Sequence, residues 1–137
     1  MPRRHHHFCR QAAQIAQKSG MQHRHGCVIV YNGKEIVAKG YNHMQCTMEN
    51  TFSIHAEIEA INQLRPILKT KSRDFISKCT LYIVRIGTNN MNNPLRYSAP
   101  CQHCANAIRS IGIPKVCYSV NEEDISNIPL NISCTLS

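Results

Sequence analysis

A chain of 137 residues, 42% of them hydrophobic and 18% charged, closes one core rather than two and excludes disorder beyond the ends, so residues 1–137 are expected to form a single domain. No run approaches the ~20 apolar residues that cross a bilayer, and the start carries no secretory-signal stretch; this leaves an intracellular, cytoplasmic protein whose eight cysteines stay reduced, some of them metal-bound. Sixteen Lys and Arg against eight Asp and Glu give +8, which draws in phosphate, whether of a nucleotide or a nucleic acid, unless the excess is spread over a solvated surface.

Residues 1–7, with His5, His6 and His7, read as a frayed tail. Phe8, Ala12, Ile15 and Ala16 recur at helical spacing and predict a first helix from Phe8 to Ser19, stopped by Gly20. The β-branched runs Cys27–Tyr31 and Glu35–Ala38 flank Asn32-Gly33, the dipeptide that best tolerates the positive φ angles of a tight hairpin turn. Gly40 to Phe52 is polar and aperiodic and reads as a loop. A helical pattern then begins at His55 (Ile58, Ile61, Leu64), with Pro66 ending or kinking it. After a basic connector, Cys79–Ile86 is expected as a buried, central strand. Gly87 to Ala99, rich in asparagine, predicts a turn-rich loop. Pro100 opens a helix from Cys101 to Ile111 that Gly112 stops, and Lys115–Val120 supplies another strand. Residues 121–137 are read only as a short helical turn near Glu122–Ile125 and a weak strand near Leu130–Cys134. The order αββαβαβ indicates an α/β protein with a mixed sheet and helices on its faces.

Two helix starts carry the chemistry. Cys101 and Cys104 stand three apart, so both sulfurs lie on one face of a first turn where the helix dipole favours thiolate. The pair alone fits a metal half-site, a redox dithiol or two buried cysteines equally. His55-Ala56-Glu57 sits at the other helix start; singly, a capping histidine and a dipole-compensating glutamate would explain it. Together, one imidazole and two thiolates supply three ligands and leave the fourth tetrahedral position of Zn²⁺ to water, a catalytic arrangement. A structural site would close with a fourth ligand, for which Cys46, His43 and His103 are candidates. Glu57, one residue from His55, falls beside the metal rather than on it. There it can take a proton from water that zinc has acidified and pass protons to a ring nitrogen and a departing amine.

His55-Ala56-Glu57 followed by Pro100-Cys101-Gln102-His103-Cys104 resembles the cytidine and deoxycytidylate deaminase superfamily, over roughly Phe8 to Val120. The resemblance implies a three-layer αβα sandwich around a mixed sheet of about five strands, one catalytic zinc ion, hydrolytic loss of an exocyclic amino group, and a homo-oligomer. It further implies that Asn42 contacts the sugar or base, against a plain turn role, and that Ala56 lines the base pocket through its backbone. The stretch from Pro100 through Ala105-Asn106-Ala107-Ile108 and Gly112 to Tyr118 is most similar to deoxycytidylate deaminases, which points to cytosine of a nucleoside or nucleotide. Deamination of adenosine or cytosine within RNA or single-stranded DNA is the alternative, and a non-catalytic zinc-stabilised binding module is the reading from another class. The loop Gly87 to Ala99 and the short tail depart from the family pattern.

Overall fold

The computed structural model describes residues 3–87, 94–96, 98–119, 123–124 and 132–136. In chain order the elements are α1 (Arg3–Ala16), β1 (Arg24–Tyr31), β2 (Glu35–Tyr41), β3 (His43–Cys46), β4 (Thr51–Ile54), α2 (Ala56–Leu68), α3 (Arg73–Ser77), β5 (Cys79–Ile86), β6 (Pro94–Arg96), α4 (Gln102–Ile111), β7 (Lys115–Ser119), β8 (Glu123–Asp124) and β9 (Ile132–Leu136). Among the described residues none forms a helix long and apolar enough to cross a membrane.

The body of the main sheet runs β2-β1-β5-β7-β9, with the short β6 and β8 joined at the far end of β5. Among the described residues only β5 and β7 pair in parallel, through the α4 crossover; the other ladders are antiparallel, so the sheet is mixed as expected. Asn32 (φ 55) and Gly33 (φ 70) make the predicted turn between β1 and β2.

Side chains alternate between two cores. Val28 and Val30 of β1 and Tyr82, Val84 and Ile86 of β5 pack against α1, whereas Cys27, Ile29, Leu81 and Ile83 pack against α2 and α4 on the opposite face. This is the three-layer αβα sandwich. Two glycines set the layer spacing. A Cβ at Gly26 would overlap the Ala12 carbonyl of α1, and one at Gly40 would lie 2.5 Å from the Ala56 carbonyl oxygen and 2.6 Å from the Ala60 nitrogen of α2.

Several sequence expectations are corrected. The helix predicted from Phe8 is already formed at Arg3, and it ends at Ala16 rather than Ser19, with i→i+3 bonds from Lys18 and Ser19 closing its last turn. His5 (3% exposed) and His6 (6%) are buried rather than frayed, because the Tyr82 hydroxyl of β5 lies 2.6 Å from His5 Nδ1. The stretch read as a loop from Gly40 to Phe52 instead finishes β2 and forms most of a β3–β4 hairpin, turned by the Thr47 amide donating to Asn50 O at 2.7 Å. Pro66 lies within α2 and does not end it, since the helix runs on to Leu68. The basic connector holds α3. Pro94–Arg96 is a strand, and Glu123–Asp124 pairs with it as β8 in place of the predicted helical turn; the rest of the predicted loop at 88–93 and 97, and residues 120–122, 125–131 and 137, lie outside the described residues. Six cysteines are free thiols, but Cys117 is disulfide-bonded, with Cys134 opposite it in the β7–β9 register.

Candidate metal centre and active site

Both helices that carry the motif begin in the same way. His55 (φ −75°, ψ 152°) and Cys101 (φ −68°, ψ 169°) are the extended N-cap residues of α2 and α4, and their carbonyls accept the first helical bonds from Glu59 N (3.0 Å) and Ala105 N (2.8 Å). Neither side chain caps its own helix. Released from that ordinary N-cap duty, the imidazole and the thiol turn toward each other across the gap between the helices. Cys104 enters from the first turn of α4 and is fully buried.

His55 Nδ1 lies 3.2 Å from Cys104 Sγ and 3.8 Å from Cys101 Sγ, and the three ligand atoms all lie within 4.8 Å of one another. A tetrahedral zinc ion with Zn–N of about 2.0–2.1 Å and Zn–S of about 2.3 Å would set N···S distances near 3.6 Å, so this donor set fits zinc with shifts of a few tenths of an ångström. Among the described residues no fourth His, Cys, Asp or Glu joins the group. Cys46 stays in the β3–β4 hairpin, where its sulfur accepts from Thr51 Oγ1 at 3.5 Å, and His43 Nδ1 lies 3.2 Å from the Tyr41 carbonyl. His103 is exposed on α4. Three protein donors are the number a catalytic zinc site uses, whereas a structural site is closed by four.

Glu57 is 5% exposed. Burial pushes its carboxyl above the usual carboxylate range, against the opposing pull of its own backbone amide, the His55 charge and a side-chain hydrogen bond with Cys104. Burial first, and Glu57 second, likewise raise the Cys104 thiol. A cavity of about 180 Å³ opens in front of these groups, lined among others by His55, Ala56, Glu57, Asn42, Ser98 and Cys101. Ala56 is buried and borders the same cavity.

Asn42 also borders the cavity, 6% exposed, and both ends of its amide are engaged with the main chain. Its Oδ1 accepts from His25 N–H at 2.8 Å and its Nδ2 donates to the His23 carbonyl at 2.5 Å. It therefore clamps the start of β1 in addition to facing the cavity.

Five cavity residues, Met21, His25, Ser53, Ser98 and Ala99, escaped the sequence reading. His25 follows no motif; burial first and the Arg85 charge second push its imidazole down to about 4. Ser98 lay in the stretch read as a flexible loop, yet its hydroxyl donates to Ile83 O (3.0 Å) and its amide to Ser119 O (2.9 Å), pinning the approach to Pro100 against β5 and β7. The only sequence signal for it was its position two residues before Pro100.

Comparison with known proteins fits this geometry. The family model described as the cytidine and deoxycytidylate deaminase zinc-binding region matches residues 2–120. The tRNA-specific adenosine deaminase 2 of Xenopus tropicalis is 32% identical over 120 residues, 85% of this chain and 61% of that protein. Its counterpart in Danio rerio is 31% identical over 98 residues, 72% of this chain and 40% of that one. The chain thus spans about 40–61% of the length of these relatives. Among solved structures, cytidine deaminase from Burkholderia pseudomallei superposes with a TM-score of 0.62 at 17% identity, covering 99% of this chain and 93% of that one. The dCMP deaminase of cyanophage S-TIM5 gives 0.61 at 21% identity, with 92% and 90% covered. The two helix-start motifs, the three-layer fold that brings them together and the match over residues 2–120 lead to one conclusion: the chain belongs to the cytidine and deoxycytidylate deaminase zinc-binding family.

Proposed function

We propose that the chain, acting as one deaminase domain, hydrolytically removes an exocyclic amino group from a nucleobase, with His55, Cys101 and Cys104 holding one zinc ion and Glu57 carrying the protons. The observation that supports this most strongly is the convergence of one imidazole, two sulfurs and a buried carboxyl at a cavity of about 180 Å³. That volume is below the roughly 300 Å³ of the smallest drug-sized pockets and suits a single base.

The chemistry the ion supplies when bound is activation of water at neutral pH. The Glu57 carboxylate accepts one proton of the attacking water and delivers it to the ring nitrogen beside the reacting carbon; it then takes the second from the hydroxyl now on that carbon and passes it to the amino group, which departs as ammonia as the carbonyl forms. Ala56 and Asn42 border the base, and Ser98 fixes the wall that leads to Cys101. Burial of Glu57 excludes bulk water from the carboxyl that moves the protons.

Cytosine of a nucleoside or nucleotide is the first reading of the substrate, supported by the sequence of α4 and β7. Adenosine within RNA is the second, supported by the 31–32% identity to tRNA-specific adenosine deaminases and by the +8 charge. Assembly as a homo-oligomer belongs to the same reading. Ammonia release from cytidine, deoxycytidylate, adenosine and short RNA and DNA strands tests it: one of these should turn over, and Glu57→Gln should remove about 10²–10⁴-fold of that rate while keeping zinc and fold. Wild-type turnover in Glu57→Gln would refute the role given to this carboxyl.

A further inference from the structure

The sheet carries a cationic group beside the base cavity that the deamination chemistry does not use. His25 lines the cavity, and Arg85 is its direct cross-strand partner in the β1–β5 register. Opposed residues of an antiparallel pair share a face, with their stems about 5 Å apart. Leu81 and Ile83 belong to the core beneath α2, so Arg85, continuing the same alternation along β5, sits on the face that bears the site. The lowering of the His25 imidazole by Arg85 reports the same proximity.

Arg85 is half-buried and held in a set direction: its Nη2 donates to His23 Nδ1 at 3.0 Å. The His23 carbonyl is in turn held by Asn42 Nδ2, which ties this pair to the cavity wall. No described carboxylate pairs with Arg85; the ion pair present among the described residues, Lys78 with Asp74, lies on α3 and the residue after it. The other guanidinium N–H groups have no partner among the described residues. A planar fork of donors, oriented and without a counter-ion, matches the geometry of a phosphate.

We propose that Arg85, oriented by His23, binds the phosphate of the nucleotide whose base enters the cavity. The inference rests on the deamination reading, and it concerns phosphate chemistry shared by a free nucleoside monophosphate and a residue within a strand. It makes the phosphorylated nucleoside, rather than the bare nucleoside, the substrate class.

Calorimetric binding of uridine against uridine 5′-monophosphate, and of inosine against inosine 5′-monophosphate, to the zinc-loaded protein tests the proposal without turnover. In the wild type the monophosphate of the accepted base should bind about tenfold or more tightly than its nucleoside; Arg85→Gln should abolish that preference and leave nucleoside affinity unchanged. Lys69→Gln, which removes the same charge beyond the end of α2, should keep the preference. A nine-nucleotide RNA strand distinguishes the sources: a loss confined to the strand assigns Arg85 to backbone phosphate, and a loss confined to the monophosphate assigns it to the free nucleotide. Equal affinity for nucleoside and monophosphate in the wild type overturns the phosphate site but leaves the deamination reading standing. An equal loss in Lys69→Gln and Arg85→Gln also overturns it, as an effect of overall charge. Absence of ammonia release from every substrate in the panel overturns the deamination reading, and this proposal with it.

Discussion

Replacing Gly40 with alanine tests how the site is held in place. Nothing in the backbone of Gly40 calls for a positive φ, since only Asn32, Gly33 and Gly112 have one among the described residues. An added methyl meets the Ala56 carbonyl oxygen at 2.5 Å, the Ala60 nitrogen at 2.6 Å and Glu59 Cβ at 2.9 Å. Two of these three are backbone atoms and cannot rotate away, so the first turn of α2 must move off β2 by close to 1 Å. Overpacking of this kind costs about 1–3 kcal/mol, against a gain of about 0.4–1 kcal/mol from the stiffer unfolded chain. The clash therefore wins, by about 1–2 kcal/mol net. At this chain length each kcal/mol lowers the Tm by about 3–4 °C, so a fall of roughly 3–8 °C is expected. The displaced turn carries His55 and Glu57, and a metal site tolerates about 0.2 Å. Turnover should accordingly fall about 100-fold, more than the stability change alone would produce. Thermal melting, zinc content by elemental analysis and ammonia release would be measured on the same preparation. A Gly40→Ala protein with wild-type Tm, zinc and rate would refute the close approach of β2 and α2 on which the position of the site depends.

Cys104→Ala and Cys101→Ala should each weaken zinc binding by more than about 100-fold, the upper range for partners that only support a ligand, and lower the Tm in the same step. Zinc content equal to wild type in either variant would remove that cysteine from the donor set. The His5 imidazole is pushed down to about 4 by burial first, then by the charges of Lys115 and Arg4, with His6 also contributing. In the unfolded chain it titrates near 6.5, so its contribution is complete above that pH and is lost as the pH falls toward 4, where only the unfolded state gains the proton. His5→Gln, which can still meet the Tyr82 hydroxyl, should lose less stability than wild type between pH 6.5 and 4 in urea titrations; an identical loss in both would show that His5 does not couple α1 to pH.

The parts of this protein that could be read from sequence are those whose signal is local. Asn32-Gly33 encodes its turn in two residues, Gly112 ends α4 with φ 99° where it stands, and the His-x-Glu and Cys-x-x-Cys spacings each lie within one helix turn. What failed depended on partners far along the chain. His5 and His6 look like solvent-facing residues until Tyr82, 77 positions on from His5, supplies a hydroxyl and a buried surface. The β3–β4 hairpin shows no alternation because its residues are exposed or only half-buried, leaving no buried face to write a period of two into the sequence. Ser98 and His25 become cavity residues only when β1, β5 and β7 are assembled side by side. The cysteines show the same limit, since a strand register and not a spacing in the sequence sets Cys117 opposite Cys134.

Because neighbouring residues of β1 and β5 are buried in opposite layers, these strands have no spare length. One residue inserted between Tyr82 and Ile83 would send every later side chain of β5 to the wrong layer, putting Arg85 among apolar side chains under α1 and Ile86 toward the cavity. Changes of length within β5 are therefore poorly tolerated, whereas β2 already takes up one extra residue, Val37, at a bulge opposite Ile29 and Val30, and the bends between strands leave the most room for new substrates.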